Sequence, residues 1–455
     1  MTRHLDTGVV VVGAGISGLT AADALRAEGI ECLVVEARDR VGGRVQTEPL
    51  SGYPDAWVDH GGQWLGPGQD LAYALLDRLG LTTMPTNVVG DKLLLFRGRS
   101  ARYAGRVPRL PAVALADVGQ AQWRFDRLAA RVDPTHPWRT PRASELDGQT
   151  FETWIVRTAR TAAGRDFFRV AAEAVFATEA ANISLLHALF YARAGTNLET
   201  LISSGGGAQQ DRVVGGMMQL ADGLAAGLGD RVLLSDPARS IQRRDHGVLV
   251  ETDSRTIDAS AVIVTVAPAT AGSITYDPVL PADRAQLLQR MPHGSVIKFH
   301  AIYEQPFWRA DGLSGEAASD QGPVKVVFDN TPPTGYPGMI VGFFEGSEAV
   351  TASRFDVSVR RELVTAELQR YFGPRAADML DYVDRDWNAE PHTRGCYGAH
   401  LPPGAWTQFG PALRTPVGAI HWAGTETADR WVGYIEGAIL SGLRAAAEVR
   451  GQLRH

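Results

Sequence analysis

Cysteine is nearly absent from this chain: Cys32 and Cys396 are the only two in 455 residues. Two thiols make no disulfide framework, so a hydrophobic core must hold the fold, and the usage fits a reducing compartment. A long apolar run is missing as well. The Ala-rich stretch from Gly433 to Val449 is broken by Glu436, Arg444 and Glu448, which excludes it as a bilayer span. The opening residues MTRHLDTG lack a secretory h-region and a small-residue cleavage site, so a soluble, cytoplasmic protein is expected. Nor is basic charge in excess. The net charge of −6 leaves no field to attract nucleic acid or an anionic membrane surface. The 11 histidines show no metal-ligand spacing, and no P-loop, nucleophile elbow or internal repeat occurs, so no metal is expected.

What is present is the composition of an ordinary globular protein, 45% hydrophobic and 21% charged, at a length that suggests two or three domain-sized units. Val9 to Val12 form a β-branched run suited to a strand buried on both faces. Leu19 to Glu28 carries apolar residues at helical spacing, Gly29 ends that helix, and Cys32 to Glu36 (CLVVE) reads as a second buried strand. Such a βαβ unit implies a parallel sheet with a right-handed crossover. Between about Leu71 and Gln209 helical patterns dominate, including Phe151 to Arg160 and Phe167 to Ala194. Strand signals return at Val232–Leu234, Gly247–Thr252 and Ala261–Val266. Val296–Tyr303, Pro323–Asp329 and Met339–Phe344 suggest an antiparallel sheet, and a last strand and a helix from about Tyr434 end the chain. The expected fold class is α/β. A Rossmann-like nucleotide-binding domain (1–80, 214–288 and 390–455) is interleaved with a mixed α+β substrate domain (81–213 and 289–389).

Between the first strand and helix lies Gly13-Ala14-Gly15-Ile16-Ser17-Gly18. Gly13 permits the tight turn, Gly15 lets backbone approach a pyrophosphate, and Gly18 lets helix pack on strand. The helix N-terminus offers N–H groups and the positive end of its dipole. Glu36, ending the second strand, suits ribose hydroxyls and repels a 2′-phosphate. A glycine-rich turn alone also occurs for structural reasons; strand, helix, second strand and acid together specify a dinucleotide site. They do not separate FAD from NAD.

The next stretch, Arg38-Asp39-Arg40-Val41-Gly42-Gly43-Arg44, resembles the extension in flavoproteins of the amine oxidase type, with Arg38 and Arg44 as donors to phosphate or flavin. Further blocks follow in order: DHGGQWLGPGQ (Asp59 to Gln69), VVGGMMQLADGLA (Val213 to Ala225), MPHGSVIKFHAIYEQPFWR (Met291 to Arg309), RGCYGAHLPPG (Arg394 to Gly404) and HWAGTETADRWVGYIEGAI (His421 to Ile439). With these the chain resembles the flavin-containing monoamine oxidases nearly end to end, and only about Arg99 to Gly148 matches poorly. The resemblance implies FAD, oxidation of an amine to an imine and then an aldehyde, and reduction of O2 to hydrogen peroxide.

It also implies roles for residues. Gly13, Gly15, Ser17, Gly18, Glu36, Ala37, Arg38, Gly43, Arg44, Gly61, Gly62, Gln63, Trp64, Gly424, Thr425, Glu426 and Gly433 would surround FAD, with the backbone of Ala238 at the adenine. Cys396 would form a thioether to the flavin 8α-methyl, and Lys298 would hold a water beside flavin N5. Tyr397 and Tyr434 would flank the amine, Tyr434 also at the flavin. Read alone, Lys298 is strand-edge decoration and the tyrosines are amphipathic core residues. Gln209, Val326 and Phe328 would line the substrate cavity. Strand alternation places Val324, Val326 and Phe328 on one face, with no carboxylate on either face before Asp329. That wall favours a primary monoamine with an aryl or alkyl tail. The alternatives are a di- or polyamine oxidase, an L-amino-acid oxidase needing an arginine for its substrate carboxylate, and, from another class, a non-redox FAD-binding protein. The partners are then a small amine and O2, with no nucleic acid or membrane anchor; a homodimer is compatible.

Overall fold

The computed structural model describes residues 3–454. Val9–Val12 end a longer strand, Arg3–Val12, and all four are buried. A strand apolar on both sides needs cover on both sides, and this one lies inside an eight-stranded sheet. Its parallel part runs in the order Val232–Leu233, Cys32–Val35, Arg3–Val12, Arg255–Val264, Ile420–Trp422, so three distant stretches of chain meet there. Gly247–Thr252 and Ala238–Arg244 extend the sheet in antiparallel fashion. The helix Ile16–Ala27 follows the glycine turn, and the last helix, Ile435–Leu453, meets it through a 2.9 Å hydrogen bond between the hydroxyls of Ser17 and Ser441.

A second sheet has seven strands in the order Asp381–Asp386, Val296–Tyr303, Gly338–Glu345, Val326–Asp329, Leu313–Ser319, Asp91–Phe96, Arg99–Tyr103. It is antiparallel except where Leu313–Ser319 runs parallel to Asp91–Phe96. Val296–Tyr303 and Gly338–Glu345 are buried at every position, as central strands covered on both faces must be. The helices between Ala112 and Ile202 form their own apolar cluster around Phe125, Trp154, Phe168 and Phe190.

Local order departs from the sequence reading in two places. Asp91–Phe96 and Arg99–Tyr103 form a hairpin inside the stretch where helical patterns dominate. Its two-residue turn puts Arg97 and Gly98 at φ 52° and 72°, the positive values a tight hairpin demands. The helical stretch read over Phe167 to Ala194 is divided between two helices, Ala162–Phe176 and Leu185–Ala194. Ala177 breaks the first at φ 50°, and the hydroxyl of Ser184 caps the second by accepting the N–H of His187.

Candidate active site

The glycine turn is built as a dinucleotide site requires. A side-chain carbon at Gly18 would collide with the Gly13 carbonyl, so helix and strand touch there. At Gly15 the same added carbon would find only Gly42 O, at 4.0 Å, which leaves an open seam along the helix N-terminus; Gly43 approaches that seam from the neighbouring loop. Glu36 accepts the N–H groups of Ala14 (2.8 Å) and Arg38 (3.0 Å), with lone pairs left for ribose hydroxyls. The Asp236 N–H donates to Glu36 O at 2.8 Å, which brings the segment leading into Ala238 beside Glu36 and Ala37. Ser17 accepts the Gly424 N–H at 3.0 Å, and Thr425 donates its hydroxyl to Tyr434 O at 2.9 Å, so the C-terminal motif is bound to the N-terminal turn. This set fits FAD.

The two arginines are less free than the sequence implied. Arg38 donates to Thr393 Oγ1 at 2.5 Å and to Glu390 at 3.3 Å. Arg44 grips Glu426 with two bonds, 2.5 and 3.0 Å, and donates to Tyr397 O at 2.9 Å. Burial pushes the Glu426 carboxyl up, but Arg44 and then His293 outweigh it and hold the group ionised, well below the usual carboxylate range. One ion pair thus joins three sequence blocks at the place where Cys396 and Tyr397 enter. Cys396 is 4% exposed; burial lifts its thiol to about 12, with Arg44 opposing.

Lys298 lies mid-strand in Val296–Tyr303, 3% exposed. Its Nζ donates to Gly61 O (2.9 Å) and Gln63 Oε1 (2.5 Å), and Trp64 presents its ring 5.5 Å away. Gln63 in turn donates to Asn330 Oδ1 (2.9 Å), which Arg212 holds at 2.7 Å. Gly62 N–H donates to Arg44 O at 3.1 Å, fixing the Gly61–Trp64 run against the arginine loop. Burial pulls the Lys298 ammonium down to about 7, against a partial counter-effect from Asp59.

Gly61 to Trp64, Lys298, Tyr397 and Tyr434 all line one cavity of about 490 Å³. The loops carrying the tyrosines touch: a side-chain carbon at Gly398 would lie 3.5 Å from Gly433 Cα. Phe343 meets Tyr397 edge-on at 5.9 Å, and Tyr191 packs against Tyr434 at 6.2 Å, so each ring rests against another aromatic of the cavity lining. Gln209, Val326 and Phe328 are on the same wall; Gln209 donates to Leu201 O, and its own Oε1 has no partner among the described residues.

A match to the family described as flavin containing amine oxidoreductase spans residues 16–450. The chain belongs to that family. Membership implies FAD as cofactor and an amine with O2 as substrates. Over 448 residues the chain is 43% identical to a Mycobacterium tuberculosis protein carrying the name flavin-containing monoamine oxidase, covering 98% of this chain and 97% of that one. It is 37% identical over 455 residues to an L-amino acid dehydrogenase of Synechocystis, covering 98% and 95%. The structure of putrescine oxidase bound to putrescine superposes with a TM-score of 0.95 at 35% identity, covering 99% of this chain and 100% of that one. Those names span a monoamine, an amino acid and a diamine, so the substrate of this family member must be read from its own cavity.

That cavity corrects part of the sequence reading. The strand begins at Val326, and Val324 packs with Val327 in the core of the second sheet, away from Val326 and Phe328. Carboxylates do line the cavity, from other elements: Glu199, Glu316 and Glu345. Strand alternation within one segment could not reveal them. The uninformative stretch 99–148 contributes Tyr103, Arg106, Val107, Leu115 and Val118 to the wall. Among the described residues the one His/carboxylate grouping close enough to hold a metal is His4, Asp6 and Asp258, outside the cavity lining. No described helix is long and apolar enough to cross a membrane.

Proposed function

We propose that this protein oxidises a primary monoamine with an aryl or alkyl tail to the imine and aldehyde, releasing hydrogen peroxide. The carrying observation is that Glu316 and Glu199, the carboxylates of the cavity wall other than the one bonded to Tyr397, are each already paired with a cation. Glu316 takes Lys92 at 2.7 Å and the Ser204 hydroxyl at 3.0 Å, and Glu199 takes Arg106 at 3.3 Å. A second ammonium would meet no free carboxylate there, and a substrate carboxylate no free arginine; burying either costs several kcal/mol. Against Leu94, Phe96, Phe167, Val326 and Phe328 an apolar tail gains about 25 cal/mol per Å² buried. Bound FAD supplies the two-electron acceptor and the route to O2. Tyr397 and Tyr434 orient the nitrogen between electron-rich faces, and the apolar wall excludes water. Residues 1–80, 214–288 and 390–455 are assigned to the FAD domain, and 81–213 and 289–389 to the substrate domain. Anaerobic addition of phenethylamine, tyramine, tryptamine or hexylamine should bleach the yellow protein, and each should exceed putrescine and spermidine in kcat/KM for peroxide release. A polyamine outperforming all four would refute the substrate class, and no bleaching by any amine would refute the activity.

We further infer that FAD is bound covalently through Cys396, on the likeness of Arg394 to His400 to the family's attachment segment and on the seating of Cys396 beside Arg44. Acid-precipitated protein should retain the yellow chromophore, and a Cys396→Ala variant should release it. Colour leaving the unaltered protein entirely would overturn the bond.

A further inference from the structure

Glu345 sits in none of the blocks that carry the family likeness, yet it ends an all-buried strand at the cavity wall. It is 4% exposed. Its Oε1 accepts the Tyr397 hydroxyl at 2.9 Å. Its Oε2 is enclosed and has no hydrogen-bond partner among the described residues. A dry carboxylate with an idle oxygen, bonded to one of the two tyrosines proposed to flank the amine, is costly when ionised, and so is a dry ammonium. Moving one proton between them removes both charges.

We propose that Glu345 takes the proton of the substrate ammonium as the amine enters between Tyr397 and Tyr434. This rests on the amine oxidase reading above. One N–H bond breaks and one O–H bond forms, so R–CH2–NH3+ and the carboxylate become R–CH2–NH2 and the carboxyl, with no change of oxidation state. The neutral amine is the form whose adjacent C–H can give up a hydride equivalent.

The surroundings leave the proton to be shared by these two groups. Tyr397 only donates, since burial and then Glu345 keep its own hydroxyl protonated. Glu173, on Ala162–Phe176, is engaged by Lys325. Glu179 accepts the Ser347 N–H at 2.7 Å, and Glu348 lies on the helix Gly346–Ala352 that follows Glu345. Lys298 faces the cavity but is held by Gly61 and Gln63. Burial, only partly offset by the Tyr397 hydrogen bond, raises the Glu345 carboxyl to about 8, between an ordinary carboxylic acid and an alkylamine.

Proton counting on the FAD-loaded protein tests this. The probe is 2-phenylpropan-2-amine, whose nitrogen-bearing carbon has no hydrogen to lose, titrated calorimetrically in buffers of different ionisation heat. The pH is set above about 8, where Glu345 is ionised, and below the value of the amine. The unaltered protein should then release almost no proton, whereas Glu345→Gln, which keeps an acceptor for Tyr397, should release about one per amine bound. Equal counts would overturn the proposal. In kcat/KM profiles for two amines of different basicity, the acid limb of the unaltered enzyme should fall at one common pH. That of Glu345→Gln should move alkaline by about one pH unit or more and follow each amine. A limb that follows each amine in the unaltered enzyme overturns the idea without any variant. Binding of phenethylamine, which does carry that hydrogen, without bleaching would instead refute the amine oxidase reading.

Discussion

Replacing Arg44 with methionine is expected to lower folding stability by about 3–5 kcal/mol, the usual result of leaving a buried charge without its partner. Glu426 is the charge at issue: its side chain is 2% exposed, that of Arg44 22%. With the guanidinium gone, Glu426 keeps the Ala399 N–H at 3.2 Å and His293 at 3.7 Å, neither of which replaces two charge-assisted bonds. Because the folded-state carboxyl is held below its ordinary range, the pair's contribution is complete above that range and is lost as pH falls toward the depressed value. The stability gap between the unaltered protein and Arg44→Met should therefore narrow in acid. Denaturant unfolding monitored at neutral pH and again near pH 4 measures both quantities. A double variant, Arg44→Met with Glu426→Leu, should recover most of the loss, since apolar groups can replace a buried pair at little cost. A single-variant loss below about 1 kcal/mol would show the pair to be as weak as a surface salt bridge.

Legibility in the sequence tracked how local each signal was. The turn Gly13 to Gly18 and the acid at Glu36 are short-range patterns whose geometry follows from backbone sterics, and the glycines take the positions the spacing demanded. The strand Val296–Tyr303 was legible from its apolar run, and Lys298 stood out as the one cation in it. Glu345 was legible in retrospect only: an acid ending the apolar strand GMIVGFFE is either solvated or functional, and only the tertiary packing decides. The pairing of Lys92 with Glu316 joins residues 224 apart, and no periodicity reports on such a distance. Arg99 to Gly148 looked empty because cavity walls need shape and apolarity rather than a fixed motif. The hairpin Asp91–Tyr103, which only overlaps the start of that stretch, hid behind a leucine run that helices and strands share.

Lys298→Met should leave FAD bound and slow at least one half-reaction by tenfold or more, about 1.4 kcal/mol of barrier. The substitution keeps an unbranched side chain, one atom shorter than lysine, and takes away the Nζ that lies 5.5 and 5.9 Å from the Trp64 and Phe343 rings. It removes the donor to the cavity-lining Gly61 O and to the buried Gln63 Oε1, and lowers stability by about 1–3 kcal/mol for a buried acceptor left fully unsatisfied. The rate effect separates into two measurements. Anaerobic mixing with a saturating amine gives the rate of bleaching, and mixing the bleached protein with oxygenated buffer gives the rate at which colour returns. A fixed cation favours the negative charge that develops on reduction, and a charge-dependent role has a definite pH sign. Burial brings the Lys298 ammonium to about 7, so it is charged below that value and neutral above it. The affected rate in the unaltered enzyme should fall as pH rises through about 7 and approach that of Lys298→Met, whose own rate stays flat across the same range. Unchanged rates in both half-reactions would reduce Lys298 to a structural strap between the second sheet and the Gly61–Trp64 loop. A parallel fall at every pH would show that position, not charge, is what the lysine supplies.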